Sequence, residues 1–204
     1  MIIYLYDMRL QDENKKEAIF DATIKLVNEV GFAAASVAKI AKEANVSPAT
    51  IYIYFRNKED LLISIFLEIN KKKTSASMEG FDGSSPLKES FRKFWYLSFK
   101  FISQNEDLLQ YHDQFLSSPY SELVDVTQSV DGFQPFLSAL ESGAAEKIIK
   151  KVDFSLLKAF VFLPLGTLAN TRTSGNFKMT HQNIETAIEM AWDAIRLERN
   201  EFLP

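Results

Sequence analysis

Residues 36–58 read SVAKIAKEANVSPATIYIYFRNK, and the middle of this stretch decides the fold. The Ser36 hydroxyl can cap the free amides of a helix that carries Val37, Ile40, Ala41 and Ala44 inward. That helix has room for about two turns. Asn45 follows, one of the few non-glycine residues that tolerates a left-handed backbone, and Val46 tucks back toward the core. Ser47 offers an N-cap and Pro48 the first helical position, where a missing amide donor is no loss. A third short helix runs from there to Phe55.

Helices this short are not stable alone and need a surface to pack on. The surface is a first helix over 15–30, with Ile19, Ala22, Leu26 and Val30 on one face and Gly31 as its terminator. On the third helix Ile51 and Phe55, four apart, point into this small core. Pro48, Ala49, Thr50 and Tyr54 are then left toward solvent, with Tyr52 and Ile53 on the flanks. A face that is small at its N-terminal end and hydroxylated beyond suits a helix entering the major groove of DNA. Ser36, Lys39, Lys58 and the helix starts at Ser36 and Ser47 are placed to hold phosphates beside it. The stretch carries Lys39, Lys42, Arg56 and Lys58 against Glu43, a net of +3 within a chain of net charge -4. A three-helix packing unit with a solvated basic face would account for the same pattern, and periodicity alone does not separate the two.

Working outward, Asn57 and Asp60 form a capping pair that opens a longer helix through Leu61, Leu62, Ile65, Phe66 and Ile69. Residues 74–86 are rich in Gly, Ser and Asp and read as a loop, followed by helices over 86–103, 105–116, 119–141, 153–172 and 180–199. With 7 Gly and 6 Pro in 204 residues, and apolar residues recurring at three and four, the expected fold class is all-α. A small N-terminal head sits on a larger helical body in this reading, divided as 1–14 (an extension), 15–60 (head) and 61–204 (body).

Cysteine is absent, which excludes disulfides, thiolate metal sites and cysteine nucleophiles. No run reaches the roughly 18 apolar residues that a membrane span needs, so no membrane partner is expected and a cytoplasmic location is. His112 and His181 are the only histidines in the sequence and lie far apart in it, and neither a phosphate loop nor a nucleophile elbow occurs. Catalytic residues, metal and cofactor are therefore all expected to be none.

From Ile19 to Leu62 the chain resembles the DNA-binding head of the TetR family of bacterial transcriptional regulators. The residues that carry the resemblance are IFDATIKLVNEVGF and SVAKIAKEANVSPATIYIYFRNKEDLL, about a fifth of the chain. They show a first helix ending in Gly plus an aromatic, an Ile-Ala pair in the second helix, a Val-Ser turn, and an aromatic-rich third helix before Lys-Glu-x-Leu. The resemblance implies DNA contacts at Ser36, Lys39, Ser47, Pro48, Ala49, Thr50, Tyr52, Tyr54 and Lys58. Four positions depart from the pattern: Asn45 and Ala49 stand where glycine is common, Ala35 where threonine is common, and Tyr54 where histidine is common. Ile53 offers an apolar contact only, of the kind a thymine methyl accepts.

The resemblance further implies a homodimer on a palindromic double-stranded operator, and a small hydrophobic or aromatic effector that releases a repressor from it. Helix four would be the mechanical link. Aromatic wealth in the body, six aromatics within FRKFWYLSFKF at 91–101, fits such an effector, with ordinary core as the alternative. The pocket candidates are Phe66, Phe94, Trp95, Ser98, Phe99, Tyr111, Phe115, Phe133 and Phe162. LLKAFVFLPLGTLANT is apolar almost all round and IETAIEMAWDAIRL has an apolar stripe. The expected dimer seam is therefore Leu157, Phe160, Val161, Leu165, Leu168, Ile184, Ile188, Ala191, Trp192 and Ile195, with Pro164 and Gly166 loosening the first of these helices. Two other readings remain: the same head with a body that answers to a protein partner or to no ligand, and a helical enzyme or binding module that keeps the head without using it.

Overall fold

The computed structural model describes residues 2–124, 132–175 and 177–197, with side chains from residue 12 onward apart from 172 and 173. Helix α1 spans Ile2–Ala34, α2 Val37–Glu43, α3 Pro48–Tyr54, α4 Lys58–Ser77, α5 Leu87–Gln104 and α6 Glu106–Leu116. A 3-10 turn at Pro119–Leu123 follows, then α7 Gln134–Ala145, α8 Phe154–Leu157, a π-turn Lys158–Phe162, α9 Leu163–Ala169, α10 Thr171–Ser174 and α11 His181–Ile195. No strand occurs among the described residues beyond an isolated bridge between Ile149 and Arg196. None of the described helices is long and apolar enough to cross a membrane. The chain divides into two compact units, Met1–Asn70 with Asp107–Val126, and Lys71–Glu106 with Thr127–Pro204.

In the first unit the local signals act as the sequence implies. Ser36 accepts a bond from the Lys39 amide at 3.4 Å, and Ser47 accepts one from the Thr50 amide at 3.1 Å. Asn45 takes a φ of 53°, the left-handed turn expected of it. Asn57 caps the Asp60 amide at 2.8 Å, while the Asp60 carboxylate accepts from the Arg56 amide rather than from Asn57 itself. Gly31 stands at φ 78° and ψ 166°, so the helix breaks there, and this left-handed φ is one that a Cβ would strain. Because Ser47 satisfies both the amide and the hydroxyl of Thr50, Ser47→Ala is expected to cost about 1 kcal/mol of stability, measured by urea unfolding.

The core of this unit gathers Ile19, Val27, Ile40, Ile51, Phe55, Leu62, Ile65 and Phe66, all nearly inaccessible. Val30, expected inward, is exposed, because the 3.6-residue period carries the buried stripe through Thr23 and Val27 instead. Thr23 is tolerated there because its hydroxyl bonds the Ile19 carbonyl at 2.7 Å. Helix α6 completes the unit. Tyr111 and Phe115 pack edge-on against Phe32, and the Tyr111 hydroxyl donates to the Leu62 carbonyl at 2.9 Å. Burial pushes the Tyr111 phenol far above its ordinary range, so it acts as a fixed donor. Asn28 holds α6 alongside α1 through the Asp107 carbonyl, Gln110 and Gln114.

The second unit is built on α5, whose Phe91, Phe94, Trp95, Phe99 and Ile102 are all buried. Phe94 stacks on Phe136 of α7 at 3.9 Å between ring centroids, and Phe91 packs on Trp192 of α11 at 5.4 Å. Lys88 and Arg92 of α5 pair with Glu185 and Glu189 of α11 along the exposed seam.

Five expectations are corrected here, the first being that the extension expected over 1–14 and the helix expected over 15–30 form one helix, Ile2–Ala34, broken at Gly31. The loop expected over 74–86 begins later, since α4 continues to Ser77 and buries that hydroxyl against Ser98 at 2.8 Å. The helix expected over 119–141 is a 3-10 turn and then α7, with residues 125–131 outside the described residues. The helix expected over 153–172 passes through the π-turn just before Pro164. Its ring cannot accept an ordinary turn onto the carbonyl four residues back, and the wider turn makes room. The last helix stops at Ile195, and residues 198 and 199 of its expected span lie outside the described residues.

Candidate nucleic-acid interface

Helix α3 is fixed in direction by Ile51 and Phe55, which are buried one turn apart, and by the Ser47 cap with Pro48 at its start. What it then presents differs from the sequence expectation. Tyr54, expected outward, is half-buried and donates its hydroxyl to the Asp12 carboxylate of α1 at 2.7 Å. Desolvation, the bond to Asp12 and the Asp12 charge all hold the Tyr54 phenol above its ordinary range. Thr50 is also half-buried and shares a 2.9 Å bond with the Ser47 hydroxyl. Ile53, expected on a flank, is 77% exposed, and Tyr52 is 55% exposed. Pro48 and Ala49 are exposed as expected.

The lysines are engaged in the same way. Lys39 donates from Nζ to the Ala34 carbonyl at 3.0 Å and Lys58 to the Phe32 carbonyl at 2.5 Å. Both bond carbonyls at the end of α1 past its break at Gly31, where positive charge also suits the helix dipole, and the Ala34 carbonyl accepts from the Ser36 amide as well. Ser36 spends its hydroxyl on the α2 cap. The basic side chains thus lie around α3 while satisfying the end of α1.

The pocket candidates fall into both units. Phe66, Tyr111 and Phe115 belong to the first, where Phe66 stacks on Phe115 at 4.2 Å and on the His112 ring at 5.2 Å. Phe94, Trp95, Ser98, Phe99, Phe133 and Phe162 belong to the second, where Phe133 and Phe162 meet Phe94 edge-on at 5.8 and 6.0 Å. Within the second unit a cavity of about 140 Å³ opens beside Ser77, Gly80, Asp82, Ser90 and Lys93, and of the pocket candidates only Phe94 reaches it.

The dimer candidates also separate by face. Val161, Leu165, Ile188, Ala191, Trp192 and Ile195 are buried within the second unit itself, and Leu157, Leu168 and Ile184 are half-buried. Phe160 is 67% exposed, and Leu156, Leu163 and, on α11, Met190 are exposed with it.

Two family models match the chain: the tetR family of bacterial regulatory proteins over residues 19–65, and the tetracyclin repressor-like C-terminal domain over residues 86–196. The second alone covers more than half of the sequence. The chain belongs to the TetR family. Among solved structures, a TetR family transcription regulator from Marinobacter aquaeolei VT8 is 34% identical with a TM-score of 0.86, over 93% of this chain and 100% of that one. An uncharacterized HTH-type transcriptional regulator of Haemophilus influenzae is 28% identical over 93% of this chain and 100% of its own length. The fatty acid metabolism regulator protein of Bacillus subtilis is 48% identical over 58 residues, 28% of this chain and 30% of its own.

As a TetR-family member the chain is a helix-turn-helix transcriptional regulator, and its relatives are regulators rather than enzymes. Sequence reasoning missed Asp12 because its partner lies 42 positions away, and no local signal marks that bond. Asp12→Ala is expected to free the Tyr54 hydroxyl to donate to a phosphate and to remove a negative charge beside the TetR head. DNA affinity should rise about two- to tenfold, with the gain shrinking as salt rises from 50 to 300 mM in an anisotropy titration.

Proposed function

We propose that this TetR-family regulator is a dimeric repressor that docks α3 into the major groove of a palindromic operator, with residues 15–60 as the DNA-binding head and 61–204 as the effector and dimer body. The observation that carries the reading is α3 itself, a seven-residue helix capped by Ser47, pinned by Ile51 and Phe55, with Ala49, Tyr52 and Ile53 turned to solvent. Pro48, Ala49, Tyr52 and Ile53 would meet the groove. Ser36, Lys39, Thr50, Tyr54 and Lys58 would act at its edges, trading their internal bonds for phosphates where geometry permits. Two heads about 34 Å apart meet successive major grooves on one side of the duplex, which a symmetric dimer provides.

The dimer seam in this reading is the exposed apolar face of Leu156, Phe160, Leu163 and Met190. Four large apolar side chains left in water on neighbouring helices are best explained by a second copy of the same surface. An effector in the body would then shift the spacing of the heads through α4, so that operator and effector oppose each other. The Trp95 indole N–H supports an effector that carries an acceptor, since it is buried with no hydrogen-bond partner among the described residues.

A second reading is favoured by the packing of the body. Its aromatics close on one another, and the cavity of about 140 Å³ is smaller than the roughly 300 Å³ at which small-molecule pockets begin. The same head would then serve a body that answers to a protein partner or to no ligand. Capture of genomic fragments by the purified protein at about 150 mM salt tests the function. Enrichment of a short palindrome supports it, and retention of random DNA alone would overturn it. Release of that palindrome by apolar or aromatic compounds distinguishes the effector reading from the second one.

A further inference from the structure

We propose that Ile53 reads a thymine methyl group, and so sets the base preference at one position in each half of the operator. The inference rests on the operator-binding function proposed above. Its starting point is the way α3 spends its polar groups. Thr50 is bonded to Ser47, and Tyr54 to Asp12, so two of the three hydroxyls on α3 are engaged inside the head, and Tyr52 alone of the three is exposed. The most exposed large apolar side chain of α3 is Ile53, at 77%, between the exposed Tyr52 and the half-buried Tyr54.

An isoleucine has neither donor nor acceptor, so it distinguishes bases by apolar contact alone. On the major-groove edges of the four base pairs the thymine C5 methyl is the apolar group available, and cytosine presents a donor instead. A β-branched side chain in a helix is nearly confined to one rotamer, so its methyls arrive at the groove already placed. The helix that carries it is equally fixed, because Ile51 and Phe55 on the opposite face are buried to within a few per cent. An exposed flexible residue would gain less from the same contact, since it would lose rotamer freedom on docking. The proposal therefore assigns Ile53 to specificity and leaves the bulk of the affinity to phosphate contacts.

The test uses the full-length protein and the operator recovered by genomic selection. Each thymine is replaced in turn by deoxyuridine, which removes only the methyl, in one half-site and then in both. For one thymine per half-site the replacement is expected to weaken binding about fourfold, and roughly 15-fold when both halves are changed. Ile53→Ala should bind the thymine and deoxyuridine duplexes equally, with an unchanged circular dichroism spectrum, and Ile53→Val should retain part of the difference. Tight operator binding that is indifferent to every deoxyuridine replacement would overturn the inference while leaving the operator function standing. Sensitivity that survives Ile53→Ala but is lost in Tyr52→Ala would assign the methyl to Tyr52 and overturn it too. Failure to prefer any sequence at all would bring down the operator function, and this inference with it.

Discussion

Phe160→Glu is expected to convert the protein to a monomer and to lower its operator affinity at least about 100-fold. Phe160 is the most exposed aromatic of the α8 to α9 segment, and Leu156 and Leu163 flank it on the same outward side. In a two-fold interface the same patch meets itself, so one substitution places two carboxylates in the seam. Each would lose its hydration without gaining a partner. Splitting the dimer removes the linkage that makes the second half-site an intramolecular event, a factor of about 10² to 10⁴. Sedimentation and fluorescence anisotropy on the same samples measure both effects. Val161→Ala is the contrast, since Val161 is buried within its own unit, and that change should leave the dimer intact and lower stability instead. A Phe160→Glu protein that remains dimeric would place the seam elsewhere.

Phe66→Ala is expected to destabilise the first unit by about 3–5 kcal/mol, the largest stability effect of any substitution considered. Phe66 is fully buried and lies nearly parallel to Phe115 at 4.2 Å and to the His112 ring at 5.2 Å. Removing it leaves a cavity whose walls are helix faces and cannot collapse far. Urea unfolding followed by tyrosine fluorescence should show the loss, and His112→Ala should cost far less because that ring covers the stack from one side only. If Phe66→Ala proved neutral, the side chain would be lining open space rather than core.

The local chemistry of the head is legible in the sequence because it is written over three or four residues. Ser36, Ser47 and Asn57 cap the helices they precede, and Asn45 supplies the left-handed turn. The all-α class and the positions of α5 and α6 follow from the same short-range periodicity. Long-range choices were not legible. Lys39 and Lys58 are basic residues in a DNA-binding motif, and nothing nearby shows that the end of α1 claims both. The sequence marks the body as helical but not the break near Pro119, the π-turn before Pro164 or the helix faces, because a segment apolar all round has no preferred side until its neighbours are known. Val161 and Leu165 turned inward, and Leu156 and Leu163 outward. Ser77 shows the same limit, since its hydroxyl is helical and buried only because Ser98 waits for it.

Phe32 sits just past the break in α1, and its ring neighbours Tyr111, Phe115 and Tyr120 all come from the second stretch of the first unit. That stretch begins at Asp107, after a gap in the unit that starts at Lys71. On a ribosome adding about 5–20 residues per second, the first three helices therefore emerge on the order of seconds before the aromatic residues that seal them. During that interval Phe32 and Phe66 lack the ring of Phe115 that covers both in the folded unit. The first unit can close only once more than half of the chain has been translated.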